Sequence, residues 1–144
     1  MIDRVPGETE SQWNAWSWFG PIIGSTLWLL LSAVFLLNRS GKLAALVLLL
    51  FVLANVVGVW LWRVRERLSV FAAFQVFLVT FWVCGIAAIY AIDRAGHWAT
   101  LAVGGRNNIS AWGAYVLLTI LVAALMVMFR IRQRRLSGLT RGGV

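Results

Sequence analysis

The chain is poor in charged residues, which make up 12% of its 144 positions, whereas 61% are hydrophobic. Soluble domains are about 45–50% apolar, so this balance is typical of a protein that lies in lipid. Cysteine occurs once, at Cys84, which excludes an internal disulfide and a cysteine-rich metal site. Four long stretches contain neither a charged residue nor a histidine, and the charges lie in the tails and connections around them.

The four uncharged stretches are residues 19–37, 43–62, 70–92 and 109–129. A helix of about 20 apolar residues crosses a hydrocarbon core about 30 Å thick, and in lipid a lone span must satisfy its own backbone hydrogen bonds. The sequence therefore predicts an all-α, polytopic membrane protein with four transmembrane helices in an antiparallel bundle. Residues 19–129 form this domain, between an N-terminal tail, 1–18, and a basic tail, 130–144.

The N-terminal tail has features of a short interfacial helix over residues 10–18. Thr9 and Gln12 have the spacing of a capping box, and Gly20-Pro21 is expected to bend or restart the helix. The indole rings of Trp13, Trp16 and Trp18 suit the headgroup region. A disordered tail with interfacial tryptophans is the alternative interpretation.

The basic residues are distributed unevenly between the two sides of the predicted bundle. Four spans place both termini on one side, together with nine basic residues: Arg4, Arg63, Arg65, Arg67, Arg130, Arg132, Arg134, Arg135 and Arg141. The other side has four, which are Arg39, Lys42, Arg94 and Arg106. The positive-inside rule therefore predicts cytoplasmic termini. We expect a bacterial inner (plasma) membrane.

The net charge of +8 indicates an anionic lipid surface rather than nucleic acid as the partner, because the basic residues flank apolar spans. The arginines expected to contact anionic headgroups are Arg63, Arg65, Arg67, Arg130, Arg132, Arg134 and Arg135. Each such contact contributes about 1 kcal/mol near the surface.

The absence of ionisable residues from the spans argues against ion-coupled transport, which usually needs such a group to bind the coupling ion. The chain is similar in size and span count to the small multidrug transporters, but those depend on a glutamate in the first span, and residues 19–37 contain none. Asp93 and His97 would share a face if their helix continued, but two ligands without a third do not make a metal site. We predict no catalytic residue, no metal and no cofactor.

Two amide side chains occupy matching positions in spans two and three. A tight turn over residues 63–69 would place Asn55 and Gln75 at equal depth, and Gly58 and Ala72 likewise. Glycine opposite alanine permits close approach of two helices, so the amides could hydrogen-bond across the gap as an interhelical clasp. The alternative is that Asn55 and Gln75 line a pore.

Seven of the nine tryptophans fall near span ends, as an aromatic belt predicts, but Trp28 and Trp82 lie near the middle of their spans. Packing between helices is one interpretation, and a hydrophobic constriction or a surface for a pigment, quinone or subunit is the other. Gly20 and Gly24 form a small-xxx-small strip that could serve contacts inside the bundle or between copies.

These features predict a non-catalytic integral membrane interaction protein, an accessory or scaffold subunit that packs against other membrane proteins or copies of itself. The alternative is a small homo-oligomeric channel or pore, lined by Asn55 and Gln75 and narrowed by Trp28 or Trp82. An enzyme of lipid chemistry comes third, because few ionisable groups are available at the membrane surface.

Overall fold

The computed structural model describes residues 15–101 and 110–139, with 99–100 and 132–139 described by their backbone alone. The helices are α1, Ala15–Leu37; α2, Gly41–Arg63; α3, Val70–Arg94; and α4, Ala111–Leu139. A single turn of 3₁₀ helix, Trp98–Leu101, lies between α3 and α4. All four α-helices are long and apolar enough to cross a membrane, and they pack against each other. The predicted fold class is confirmed.

A serine side chain caps the start of three helices. Ser40, Ser69 and Ser110 immediately precede α2, α3 and α4, and each hydroxyl oxygen accepts the backbone N–H three residues further on, at 3.4, 3.2 and 3.1 Å. These N–H groups have no partner within their own helix, so the serine oxygens satisfy donors that lie close to lipid. The caps at Ser40 and Ser69 fix the positions at which the connections 38–40 and 64–69 end and α2 and α3 begin.

The start of α1 differs from the prediction. Ala15–Trp18 are its first residues rather than part of a separate helix, and α1 continues through Pro21. Proline costs the helix one hydrogen bond near its beginning, and its ring lies on the exposed face. Residues 10–14 of the predicted interfacial helix, with Thr9 and Gln12, lie outside the described residues.

The end of α3 is set by a glycine. Gly96 adopts a φ of +72°, and the N–H of His97 reaches back to the Ile92 carbonyl oxygen at 3.1 Å. This arrangement satisfies a carbonyl at the end of α3 and turns the chain away, because glycine alone adopts left-handed backbone angles without strain. Asp93 is therefore the penultimate residue of α3, and His97 is beyond its end.

The four helices are unequally packed. α1 and α2 form the most extensive pair, α3 contacts both α2 and α4, and α4 packs mainly on α3. The larger core cluster takes residues from all four helices, including Trp18, Ile22, Leu61, Phe77, Phe81, Leu118 and Val122. The smaller cluster takes its buried residues from α1, α2 and α3, such as Leu29, Leu36, Val47 and Ala88, and the 3₁₀ turn packs against it. α4 is consequently the most exposed of the four.

Candidate functional site

The polar group at the centre of the α1–α2 pair is Asn55. Its Nδ2 donates to Thr26 Oγ1 of α1 at 3.1 Å and to the Phe51 carbonyl oxygen of its own helix at 2.8 Å. Thr26 is fully buried, and its hydroxyl in turn donates to the Ile22 carbonyl oxygen at 2.9 Å. The result is a chain of hydrogen bonds from the Asn55 side chain of α2 to the backbone of α1.

The structure thus gives Asn55 a different partner from the one predicted. Both protons of the Asn55 amide nitrogen are used by Thr26 and Phe51, and no hydrogen bond joins Asn55 to Gln75 within the described chain. The prediction placed the two amides at equal depth but assumed that Asn55 faces α3. A helical residue has a direction around the helix axis as well as a depth, and Asn55 faces α1.

The close backbone contact that was expected between α2 and α3 at Gly58 is made between α1 and α2 instead. A Cβ at Gly58 would sit 3.0 Å from Ile22 Cδ1, and the Gly58 carbonyl oxygen accepts from Trp18 Nε1 at 3.1 Å. Gly58 therefore faces α1, and not Ala72 as predicted. Gly20 and Gly24 of α1 are exposed, with nothing within 4 Å of an added Cβ, so this strip is not used inside the bundle.

A second hydrogen-bonded contact joins α3 to α4. Trp82 Nε1 donates to Thr119 Oγ1 at 3.1 Å, and the Thr119 hydroxyl donates to the Tyr115 carbonyl oxygen at 2.8 Å. In both pairs a threonine bonds back to its own helix and accepts a side chain from the neighbouring one. The midplane tryptophan Trp82 is thus a hydrogen-bonding contact between helices.

Trp28 is a packing residue. A Cβ at Gly85 of α3 would lie 3.4 Å from Trp28 Cζ2 and only 2.6 Å from Leu118 Cδ2 of α4. Gly85 leaves room for both side chains, so α1, α3 and α4 meet there. Trp28 touches both core clusters. This geometry agrees with packing between helices, the first of the two interpretations of Trp28.

The arginines at the end of α2 and in the connection that follows it differ in their contacts. Arg65 donates to the Trp62 carbonyl oxygen at 3.3 Å, and its guanidinium carbon lies 4.7 Å from the centre of the Trp62 ring. Arg63 and Arg67 are exposed, as is Arg130 near the end of α4. The side chains of Arg132, Arg134 and Arg135 lie outside the described part of the structure, although their backbone continues α4.

α3 ends at Arg94, so His97 lies beyond the helix on which its spacing would have placed it on one face with Asp93. Among the described residues no group of three histidine, cysteine, aspartate or glutamate side chains could hold a metal ion. No buried side-chain nitrogen or oxygen lacks a hydrogen-bond partner in the same part of the chain. The polar chemistry that these residues offer is interhelical hydrogen bonding.

Sequence reasoning missed an aromatic contact between α3 and α4. The rings of Phe74 and Phe129 are in tilted contact, with centres 4.4 Å apart and an angle of 41° between their planes, and Phe74 meets Trp18 of α1 edge-on at 6.2 Å. Phe74, Phe77 and Phe81 follow helical spacing on one face of α3, which was the available signal. Each such pair adds about 0.5–1.5 kcal/mol to the stability beyond the burial of apolar area, so aromatic contacts stabilise this end of the bundle.

No protein-family model, curated protein or solved structure matches the chain.

Proposed function

We propose that the chain is a non-catalytic membrane interaction protein, an accessory or scaffold subunit that packs against other membrane proteins or copies of itself. The observation that carries this proposal is the unequal packing of the bundle. α4 leaves large apolar side chains uncovered along its length, including Trp112, Leu117, Ile120 and Met128. A bundle with an edge helix offers neighbouring proteins a long apolar surface without disturbing its own core.

The use of the polar residues supports the same proposal. Asn55 is bonded to Thr26, and Trp82 is bonded to Thr119, so both act within a helix pair. The alternative, a small homo-oligomeric pore, needs polar side chains that face a shared aqueous axis. Gln75 is the remaining candidate for such a lining, and it is half-buried. One half-buried amide carries less weight than two completed interhelical contacts.

Intact-mass measurement after gentle solubilisation from native membranes tests this proposal. We expect a particle that contains other chains, or a small number of copies that gives no ion flux in liposomes. A closed ring of identical copies that conducts ions would contradict the proposal and favour the pore. The double variant Asn55→Leu and Gln75→Leu is the control, because a dewetted apolar constriction would stop any such flux.

For its location we propose a bacterial inner membrane with both termini in the cytoplasm. The support is the distribution of basic residues, nine on the side of the termini and four on the other. Ser137→Cys and Asn107→Cys, each in a Cys84→Ala background, provide the test with a thiol reagent that does not cross membranes. We expect labelling of Asn107→Cys alone from outside intact cells, and external labelling of Ser137→Cys would reverse the orientation.

A further inference from the structure

The outer surface of α2 contains an open groove of about 480 Å³. It runs from Phe51 to Arg63, and Val52, Val56 and Val59 line it between these ends. All of these residues come from one helix and recur every three or four positions, so they lie along one face of α2. The three valines are half exposed, so this surface faces the lipid or protein around the bundle.

The two ends of the groove differ in chemistry. Arg63 and Trp60 line the end nearest the 64–69 connection, whereas Phe51 lies at the other end. Within the described residues Arg63 has no hydrogen-bond or ion-pair partner, and it is exposed at the end of α2. Tryptophan and arginine side by side at a span end suit the headgroup level of a bilayer, where the indole and the cation meet phosphate.

The length of the groove matches one leaflet. Phe51 and Arg63 are 12 positions apart, which corresponds to about 18 Å along a helix. Half of a hydrocarbon core of about 30 Å is about 15 Å. A molecule with its charged end at Arg63 and its apolar part at Phe51 would therefore reach from the headgroup level to the middle of the membrane.

Asn55 lies in the lining of the groove but does not make it polar. Its amide nitrogen turns inwards to Thr26 and Phe51, and both of its protons are used there. The surface left for an occupant is formed by three valines, the aromatic side chains of Phe51 and Trp60 and the stem of Arg63. This surface suits an acyl chain rather than a polar substrate or a file of water molecules.

We propose that this groove is a binding site for an anionic phospholipid, with one acyl chain along Val52, Val56 and Val59 and the phosphate at Arg63. The charge of Arg63 and the leaflet-long groove select a lipid with a negative headgroup. Arg65 is engaged with Trp62, so Arg63 supplies the cation at this position. The site goes beyond the proposed interaction role and does not depend on which protein the bundle contacts.

Native mass spectrometry of the detergent-solubilised protein tests the site, with phosphatidylglycerol and phosphatidylcholine of identical acyl chains as probes. We expect tighter binding of phosphatidylglycerol and a loss of about fivefold in its affinity for Arg63→Gln, the effect of one surface arginine. Arg94→Gln removes the same charge from an exposed position at the end of α3, outside the groove, and should change affinity less than about twofold. Equal affinity for the two lipids, or equal losses in both variants, would overturn the proposal.

A steric variant tests the position of the acyl chain. Val56→Trp should fill the groove and abolish the preference for phosphatidylglycerol. Val79→Trp places the same side chain on an exposed position of α3 at a similar distance from the 64–69 connection, and it should leave binding unchanged. Unchanged binding in Val56→Trp would overturn the proposal. A change in the number of copies in Val56→Trp would overturn it as well, because the groove would then be a contact between proteins.

Discussion

The α1–α2 and α3–α4 hairpins use the same kind of hydrogen bond in different surroundings. Thr26 is fully buried between α1 and α2, whereas Thr119 is exposed on the surface of α4. The first pair is joined by the short connection 38–40 and has Gly58 at its contact, so its backbones approach closely. The second pair is joined through 95–110 and accommodates Leu118 against Gly85.

This difference indicates which of the two hairpins contributes more to the stability of the bundle. In the first hairpin the hydroxyl of Thr26 is buried. Its loss would leave one proton of the Asn55 amide nitrogen without an acceptor between two apolar helices. In the second hairpin Thr119 is exposed, and α4 is the least buried of the four helices, so less packing depends on this contact. We therefore expect the first hairpin to tolerate substitution poorly and the second to tolerate it better.

The largest effect is expected from Gly58→Leu. A leucine there would collide with Ile22 and push α1 from α2, weakening the Trp18 hydrogen bond to the Gly58 carbonyl. Overpacking of this kind costs about 1–3 kcal/mol, and we expect the upper end of the range in a detergent unfolding titration. Gly24→Leu makes the same change on the open face of α1 and should cause no loss. Wild-type stability in Gly58→Leu would show that the two helices are not in close contact.

Removing the buried hydroxyl should have the next largest effect. Thr26→Val keeps the shape but leaves one Asn55 proton without an acceptor, for a loss of about 1–2 kcal/mol in the free energy of unfolding. Thr26→Ser retains the hydroxyl and should recover most of the loss. Adding Asn55→Leu to Thr26→Val should cost little more, because no unpaired group remains. Strictly additive losses would contradict the clasp between Asn55 and Thr26.

The matching change in the second hairpin should be milder. Thr119→Val removes the acceptor of Trp82 Nε1 at an exposed position, and we expect a loss of about 0.6 kcal/mol, the average for interhelical hydrogen bonds in a membrane. Trp82→Phe should give a similar loss, since it removes the donor but keeps a ring. Unfolding titrations of Thr26→Val and Thr119→Val under one condition compare the hairpins directly. Equal losses would abolish the distinction between them.

The smallest effect is expected from Gln75→Leu. Asn55 has its hydrogen bonds elsewhere, so this substitution should change the free energy of unfolding by less than about 0.5 kcal/mol. Asn55→Leu serves as the comparison, and it should cost more because Thr26 loses its partner. A loss for Gln75→Leu as large as that for Asn55→Leu would restore the predicted pairing of the two amides.

Local features of the chain made much of the fold predictable. The uncharged stretches identify the four helices, because each span must be apolar and must satisfy its own backbone. Ser40, Ser69, Ser110 and Gly96 carry signals for helix ends that depend only on neighbouring residues. Pro21 misled the prediction, since a membrane-spanning helix tolerates a proline near its start at the cost of one backbone hydrogen bond.

The sequence by itself determined the number and apolar character of the helices, because these follow from contacts within each helix and with lipid. It did not determine their full length, since α1 begins at Ala15 and α4 continues to Leu139, beyond the uncharged stretches. Only the tertiary structure decided that Asn55 bonds to Thr26, that Trp82 bonds to Thr119 and that α4 lies at the edge. In a span that is apolar on every side, hydrophobic periodicity does not indicate which face meets a neighbouring helix. That choice depends on how small and large side chains of different helices fit together, and this fit is a property of the assembled bundle.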